Sequence, residues 1–218
     1  MKDLRAVRGT HYINSLIAKG EHERQDFKFA ISDARKIARS ISAFANHSGG
    51  RLLIGVKDNG AVAGVRNEED VYMIETAAQI YCTPSQEVQF TAYRVTDGAI
   101  VVVAEIGRSE SRPVRAQEPD GTWRAYYRVA DENIVASPLM VRSWIRAASS
   151  AGELLALSEV ETRLMEIVRE ADTAPADLLL RMKASRHTIE EAAVRLAAIG
   201  VLGFRYDGTR FLLTSSEQ

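Results

Sequence analysis

The stretch DFKFAISDARKIARSISAFANHSGGRLLIGVKDNG, Asp26 to Gly60, passes through three hydrophobic patterns in turn. Phe27 and Phe29 alternate with Asp26 and Lys28, the period of two expected of a half-buried strand. The two phenylalanines are expected to face the core, which leaves Asp26 and Lys28 on the opposite face. Asp33 then offers a helix cap. Ala34, Ile37, Ala38, Ile41, Phe44 and Ala45 recur at helical spacing as one apolar stripe, with Arg35, Lys36 and Arg39 off it. Asn46 to Gly50 ends that helix in residues that tolerate positive φ. Leu52–Val56 is apolar throughout, as in a strand buried on both faces. Asp58, Asn59 and Gly60 signal a tight turn. Strand, helix and strand in this order predict parallel pairing of the two strands.

Outward from this cassette, Asn67 can cap a second helix that carries Glu68, Glu69 and Asp70 in its first turn, where the helix dipole favours acids. Glu87–Tyr93 and Ile100–Ile106 flank a TDG turn and predict a hairpin. Arg124–Val129 reads as a further strand, and Met140–Ala148 as a helix that closes the first domain. Ala148–Glu153 is small and polar, a linker. Beyond it, Glu159–Ala171, Ala176–Lys183 and Thr188–Ile199 predict three short helices, with Pro175 opening the second and Ser185 capping the third. Val201–Thr214 predicts a hairpin around Asp207 and Gly208. Three helices and a hairpin are the order of a winged helix-turn-helix. The expected architecture is α+β or α/β: a mixed-sheet domain over 1–147, a linker over 148–157 and a winged helix domain over 158–218.

Charge is balanced, with 28 Lys and Arg against 29 Asp and Glu, net −1. A total of this kind argues neither for nor against nucleic acid, so location must decide. No apolar run approaches membrane-spanning length, and the N-terminal stretch has no continuous apolar segment, so neither a membrane span nor a signal peptide is expected. The single cysteine, Cys82, excludes an internal disulfide and a cysteine zinc cage, and a reducing cytoplasm is the expected setting.

GEHERQDFK (20–28) followed by AFANHSGGRLLIGVKDNGAVAGV (43–65) resembles the Schlafen-like, Alba-type domain. SRPV (111–114) and AYYRVADEN (125–133) match the later motifs of that family. The resemblance implies an Alba-type mixed-sheet fold and one of two activities. Bacterial members with an added winged helix are described as transcriptional regulators that bind DNA. Some animal members are metal-dependent endoribonucleases acting on transfer and ribosomal RNA. Their three acids, carried over by motif, fall on Glu21, Asp26 and Asp58. The chain departs from the family at Asp26, where glutamate is usual, and at Ala130, where glycine is common.

Three convergent carboxylates could hold Mg²⁺ or Mn²⁺, hard ions that take oxygen ligands, and Lys28 could offset charge on a scissile phosphate. Against this, Glu21 and Asp26 read equally as solvated acids and Asp58 as a good turn residue. If the strands pair in parallel, Asp26 and Asp58 sit at opposite strand ends, roughly 10 Å or more apart at 3.3 Å per residue. Lys28, Arg35, Lys36 and Arg39 could form a phosphate-binding strip or only a solvated helix face. The His47–Gly50 turn follows a helix and precedes a strand, the reverse of a phosphate loop, so no nucleotide cradle is expected there. In the winged helix, Arg186 on the recognition helix and Arg205 and Arg210 on the wing are the phosphate candidates. His187, Glu190, Glu191 and Arg195 are expected to point outward with Arg186. From Ser158 onward 8 Lys and Arg stand against 10 Asp and Glu, which suits a homodimer or partner contact as well as DNA. DNA is thus the first expected partner, structured RNA the second and a protein-interaction module the third. Binding needs no cofactor, and Mg or Mn belongs to the nuclease alternative.

Overall fold

The computed structural model describes residues 4–65, 68–149 and 156–216. In chain order its elements are β1 (Val7–Arg8), α1 (Thr10–Ile17), β2 (Gln25–Lys28), α2 (Ala34–Asn46), β3 (Gly50–Ile54), α3 (Glu69–Gln79), β4 (Cys82–Thr83), β5 (Val88–Arg94) and β6 (Ile100–Ile106). They continue with β7 (Arg115–Gln117), β8 (Trp123–Val129), β9 (Glu132–Val135), α4 (Pro138–Ser149), α5 (Glu159–Glu170), α6 (Pro175–Arg181), α7 (Arg186–Ala198), β10 (Leu202–Tyr206) and β11 (Phe211–Ser215). The chain divides into two compact units, 1–135 and 136–218. The expected Asn67 cap and residues 150–155 of the expected linker lie outside the described residues.

In the first unit a five-stranded mixed sheet runs in the order β1-β5-β6-β3-β2. β2 pairs in parallel with β3, with Asp26 beside Leu52, while β3 and β6 pair antiparallel. Parallel pairing is what the strand–helix–strand order predicts. Leu52, Leu53 and Ile54 have no exposed surface, as the unbroken apolar run required. One face of the sheet packs Leu53, Val101 and Val103 against Ile13 and Leu16 of α1. The other packs Leu52, Ile54, Val102 and Ala104 around α2 and α3. A four-stranded antiparallel sheet, β4-β7-β8-β9, covers the far side of α2. Helix α2 therefore lies within the core, capped by Asp33 through Arg35 N at 2.9 Å.

A helix enclosed on this scale must satisfy the polar side chains it carries inward. Asn46 does so with both ends of its amide. Its Nδ2 donates to the carbonyls of Val114 and Tyr126, each at 2.8 Å, and its Oδ1 accepts from Val114 N at 2.8 Å. Ser42 Oγ donates to Val114 O at 2.8 Å and accepts from Tyr126 N at 3.0 Å. Two polar residues one helical turn apart thus fasten β8 and the segment before β7 to α2. Phe29 departs from expectation. β2 ends at Lys28, and Phe29 is 41% exposed with Lys57 Nζ 5.6 Å above its ring.

The second unit holds α4 to α7 and the β10–β11 hairpin, and α5 to α7 with the hairpin enclose one apolar cluster that includes Leu164, Ile167, Leu178, Ile189, Leu196 and Leu213. Pro175 opens α6 and Ser185 caps α7 through Thr188 N at 3.1 Å, as expected. Thr173, between α5 and α6, bridges antiparallel to Leu213. Helix α4 packs along α7, within the second unit, so it does not close the first as the sequence suggested. Arg142 of α4 pairs there with Glu190 at 3.0 Å and with Glu191.

Candidate functional site

The chain doubles back just before β2. His22 and Gln25 exchange backbone hydrogen bonds of 2.9 and 3.0 Å, and this tight turn returns Glu21 to the side of the strand. Glu21 Oε1 accepts from Phe27 N at 2.8 Å. Burial and a hydrogen bond with Asp26 push the Glu21 carboxyl above its ordinary value. The structure therefore brings Glu21 and Asp26 together.

Asp26 is not on a solvent face. It is 5% exposed, with Arg128 of β8 beside it. One oxygen lies 2.7 Å from Lys28 Nζ and the other 3.5 Å from a guanidinium nitrogen of Arg128. Arg128, 2% exposed, stacks over the Phe44 ring at 4.9 Å and donates to Asn133 Oδ1 at 2.9 Å. A buried cation needs a counter-charge, and Asp26 supplies it. Sequence reasoning missed Arg128; the signal was its place two residues after Tyr126, on the inward face of β8.

Asp58 stands apart from this pair. The β2–β3 register carries it beyond the end of β3 into an exposed turn closed by Gly60 N on Lys57 O at 2.7 Å. Among the described residues no three His, Cys, Asp or Glu side chains are grouped to hold a metal ion. With both Asp26 oxygens facing cations and Asp58 elsewhere, the three acids as placed do not fit a Mg²⁺ or Mn²⁺ site.

The expected basic strip is largely spent inside the fold. Lys28 is held by Asp26 and donates to Phe27 O at 2.8 Å. Arg39 grips Glu118 with Nε at 3.2 Å and a second, terminal nitrogen. Burial pushes the Glu118 carboxyl up, but the Tyr126 hydroxyl at 2.6 Å and Arg39 outweigh it and hold the group below its ordinary value. Arg35 covers the Tyr81 ring at 4.5 Å. Lys36 is exposed. In the second unit Arg205 pairs with Asp172, and Arg210 reaches Asp177 at 3.4 Å and Asp207 at 3.7 Å. Arg186 is exposed with His187 and Thr188 at the start of α7, whereas Glu190 and Glu191 hold Arg142 and Arg195 reaches Glu161 at 3.3 Å.

A groove of about 450 Å³ lies elsewhere in the first unit, where α1 no longer covers the sheet. Arg51, Glu105 and Gln89 stand in one cross-strand row on its floor. Arg24, Arg108 and the Ser48–Gly50 turn form its rim, with Glu87 beside them. Among the described residues none of the three guanidiniums has an ion-pair partner. Their field reaches the neighbours: His22 is pushed down by burial and Arg51, and Arg112 by burial and Arg108. His47 is also pushed down, by burial, with Arg24 and Arg108 acting against Glu23. Positions 24, 51 and 108 show no common spacing, so only the register of β3 with β6 reveals the cluster.

Residues 21–137 match the family described as Schlafen, AlbA_2. No curated protein matches the chain. Among solved structures, the DIP2311 protein from Corynebacterium diphtheriae aligns at 18% identity and TM-score 0.47, over 94% of this chain and 38% of its own. This chain thus spans well under half of that protein. The N-terminal domain of a RecG-related protein from Nitrosomonas europaea aligns at 18% identity and TM-score 0.43, over 70% of this chain and 97% of that domain.

Proposed function

Because the chain belongs to the Schlafen, AlbA_2 family, we propose that it binds nucleic acid and acts as a DNA-binding regulator, its second unit serving as a winged helix. The Thr173–Leu213 bridge supports this assignment, since it ties the segment between α5 and α6 to the hairpin that follows α7. The observation that carries the reading is the first turn of α7. Arg186, His187 and Thr188 are exposed there, and a recognition helix meets base edges with its N-terminal residues. The later turns of α7 are occupied by α4 through Arg142. Contact is therefore expected end-on from α7, with phosphates approached by unpaired arginines rather than by Arg205 or Arg210.

Fluorescence anisotropy of the full chain with labelled duplex DNA and with transfer RNA tests the reading. Affinity for DNA should exceed that for RNA and fall steeply between low and high salt, as counterions are released. Arg186→Ala should weaken binding to duplex. Tighter binding to RNA would shift the partner class, and no salt-sensitive binding to either would overturn the proposal.

A further inference from the structure

We propose that the groove bounded by Arg24, Arg51 and Arg108 binds one unpaired nucleotide of a nucleic-acid strand, with its phosphate on the arginines and its base edge on Glu105 and Gln89. This rests on the nucleic-acid reading above and gives it a surface on the first unit.

Three features of the groove lead there. The first is charge left uncommitted: Arg51 and Glu105 are directly opposed across β3 and β6, yet no ion pair joins them among the described residues. Planar guanidiniums in this state match a phosphate oxygen pair. The second is that side chains must supply the binding. Gly49 N already donates to Phe44 O at 2.9 Å, so the glycine turn is no amide cradle. A Cβ at Gly50 would come 2.3 Å from the Phe44 ring and one at Gly49 2.8 Å from Ile106 O, so these glycines answer to packing. The rim is nonetheless fixed, because Ser109 N donates to Ala45 O at 2.9 Å and holds the segment carrying Arg108 against the end of α2.

The third feature selects the ligand. A surface that only tracks phosphates gains nothing from carboxylates, which repel them. Here Glu105 and Glu87 share a recess of about 450 Å³ with the arginines. A nucleotide carries both an anion and N–H donors on its base, and a carboxylate or glutamine accepts from such donors. The volume lies within the range of small-molecule sites. A duplex stacks and pairs its bases, so it cannot present the phosphate and the pairing edge of one nucleotide to such a recess. An unstacked base can.

The test uses the full chain and one short fluorescein-labelled oligonucleotide of mixed sequence, single-stranded and annealed to its complement. The duplex also binds through α7 on the reading above, so the groove is read from its variants, which should lose affinity for the single strand and not for the duplex. Arg51→Ala, and Arg24→Ala with Arg108→Ala, should each weaken single-strand binding by roughly tenfold or more, as expected for lost charge-assisted bonds. Arg94→Ala, at the exposed far end of β5, should change it less than about threefold. Arg51→Lys should recover part of the loss, since it keeps the charge without the fork, and melting temperatures identify any variant that misfolds. Glu105→Arg should loosen binding several-fold; a tighter complex would mark a plain phosphate patch and overturn the nucleotide assignment. Arginine variants that weaken duplex and single-strand binding equally, or displacement by a mononucleotide as effective as by the strand, would also overturn it. Arginine variants that bind like the wild type would remove the groove while leaving the functional reading in place. A wild type that binds neither form would remove both.

Discussion

In the second unit Arg142, Arg163, Arg181, Arg195, Arg205 and Arg210 each lie against a carboxylate, whereas Arg24, Arg51 and Arg108 of the first unit have none among the described residues. The first unit also contains the opposite extreme, Arg128, sealed beneath the second sheet with Asp26. Net charge conceals this. A balance of −1 over the chain averages arginines that hold the fold, arginines that cancel surface acids and arginines committed to nothing. Only the last class is ready for an outside anion at no cost in broken pairs.

Stability measurements can break or sharpen that contrast. Asp26→Asn should show the largest effect, about 3 kcal/mol lost in urea unfolding of the first unit, because it strands a buried guanidinium. A loss below about 1 kcal/mol would mean that Arg128 is neutralised otherwise. Glu118→Gln should cost about 1.5 kcal/mol at pH 7 by weakening a charge-assisted pair with Arg39. Since Glu118 is held below its ordinary value, its contribution is present above the unfolded value near 4.3 and is lost as pH falls through the folded one. The variant should therefore lose less stability on acidification than the wild type.

Ala130→Gly should act in the opposite direction. Ala130 has φ +50° in the two-residue turn between β8 and β9. Glycine there removes a steric cost and should add about 1 kcal/mol. A gain would separate backbone strain from the charge terms of Arg128 nearby. Arg205→Ala should give the smallest effect, within about 0.5 kcal/mol, and 1 M salt should erase it, as for exposed pairs. A loss comparable to that of Asp26→Asn would end the distinction between the two units.

The cassette from β2 to β3 was legible because its periods are long and its breaks are marked by Asp33 and by Gly49 and Gly50. The β5–β6 hairpin and α5 to α7 were legible for the same reason. Strands β4, β7 and β9 are two to four residues long and carry too little pattern to detect. Without β8 and β9 in place, nothing indicates that the polar side of β2 is covered, so Asp26 and Lys28 read as solvent-facing. The C-terminal acids misled in a related way: Glu190 and Glu191 look outward on a helical wheel until α4 brings Arg142 to them. The Glu21–Asp26 contact was foreshadowed by motif, while the groove depends on strand register that no local pattern carries.

The attachment of α4 to α7 determines where the polypeptide can be divided without loss of solubility. A fragment beginning within 148–157 would be stripped of α4. Ile189 and Ala193 of α7, both buried, line a recess together with Leu139 of α4 and would lose that cover. Glu190 and Glu191 would be left adjacent with no cation between them. An apolar patch of that kind invites self-association during expression, and dimers of such a fragment would report on the cut rather than on the protein. A fragment opening at Ala136 keeps the helix and its charge partners together.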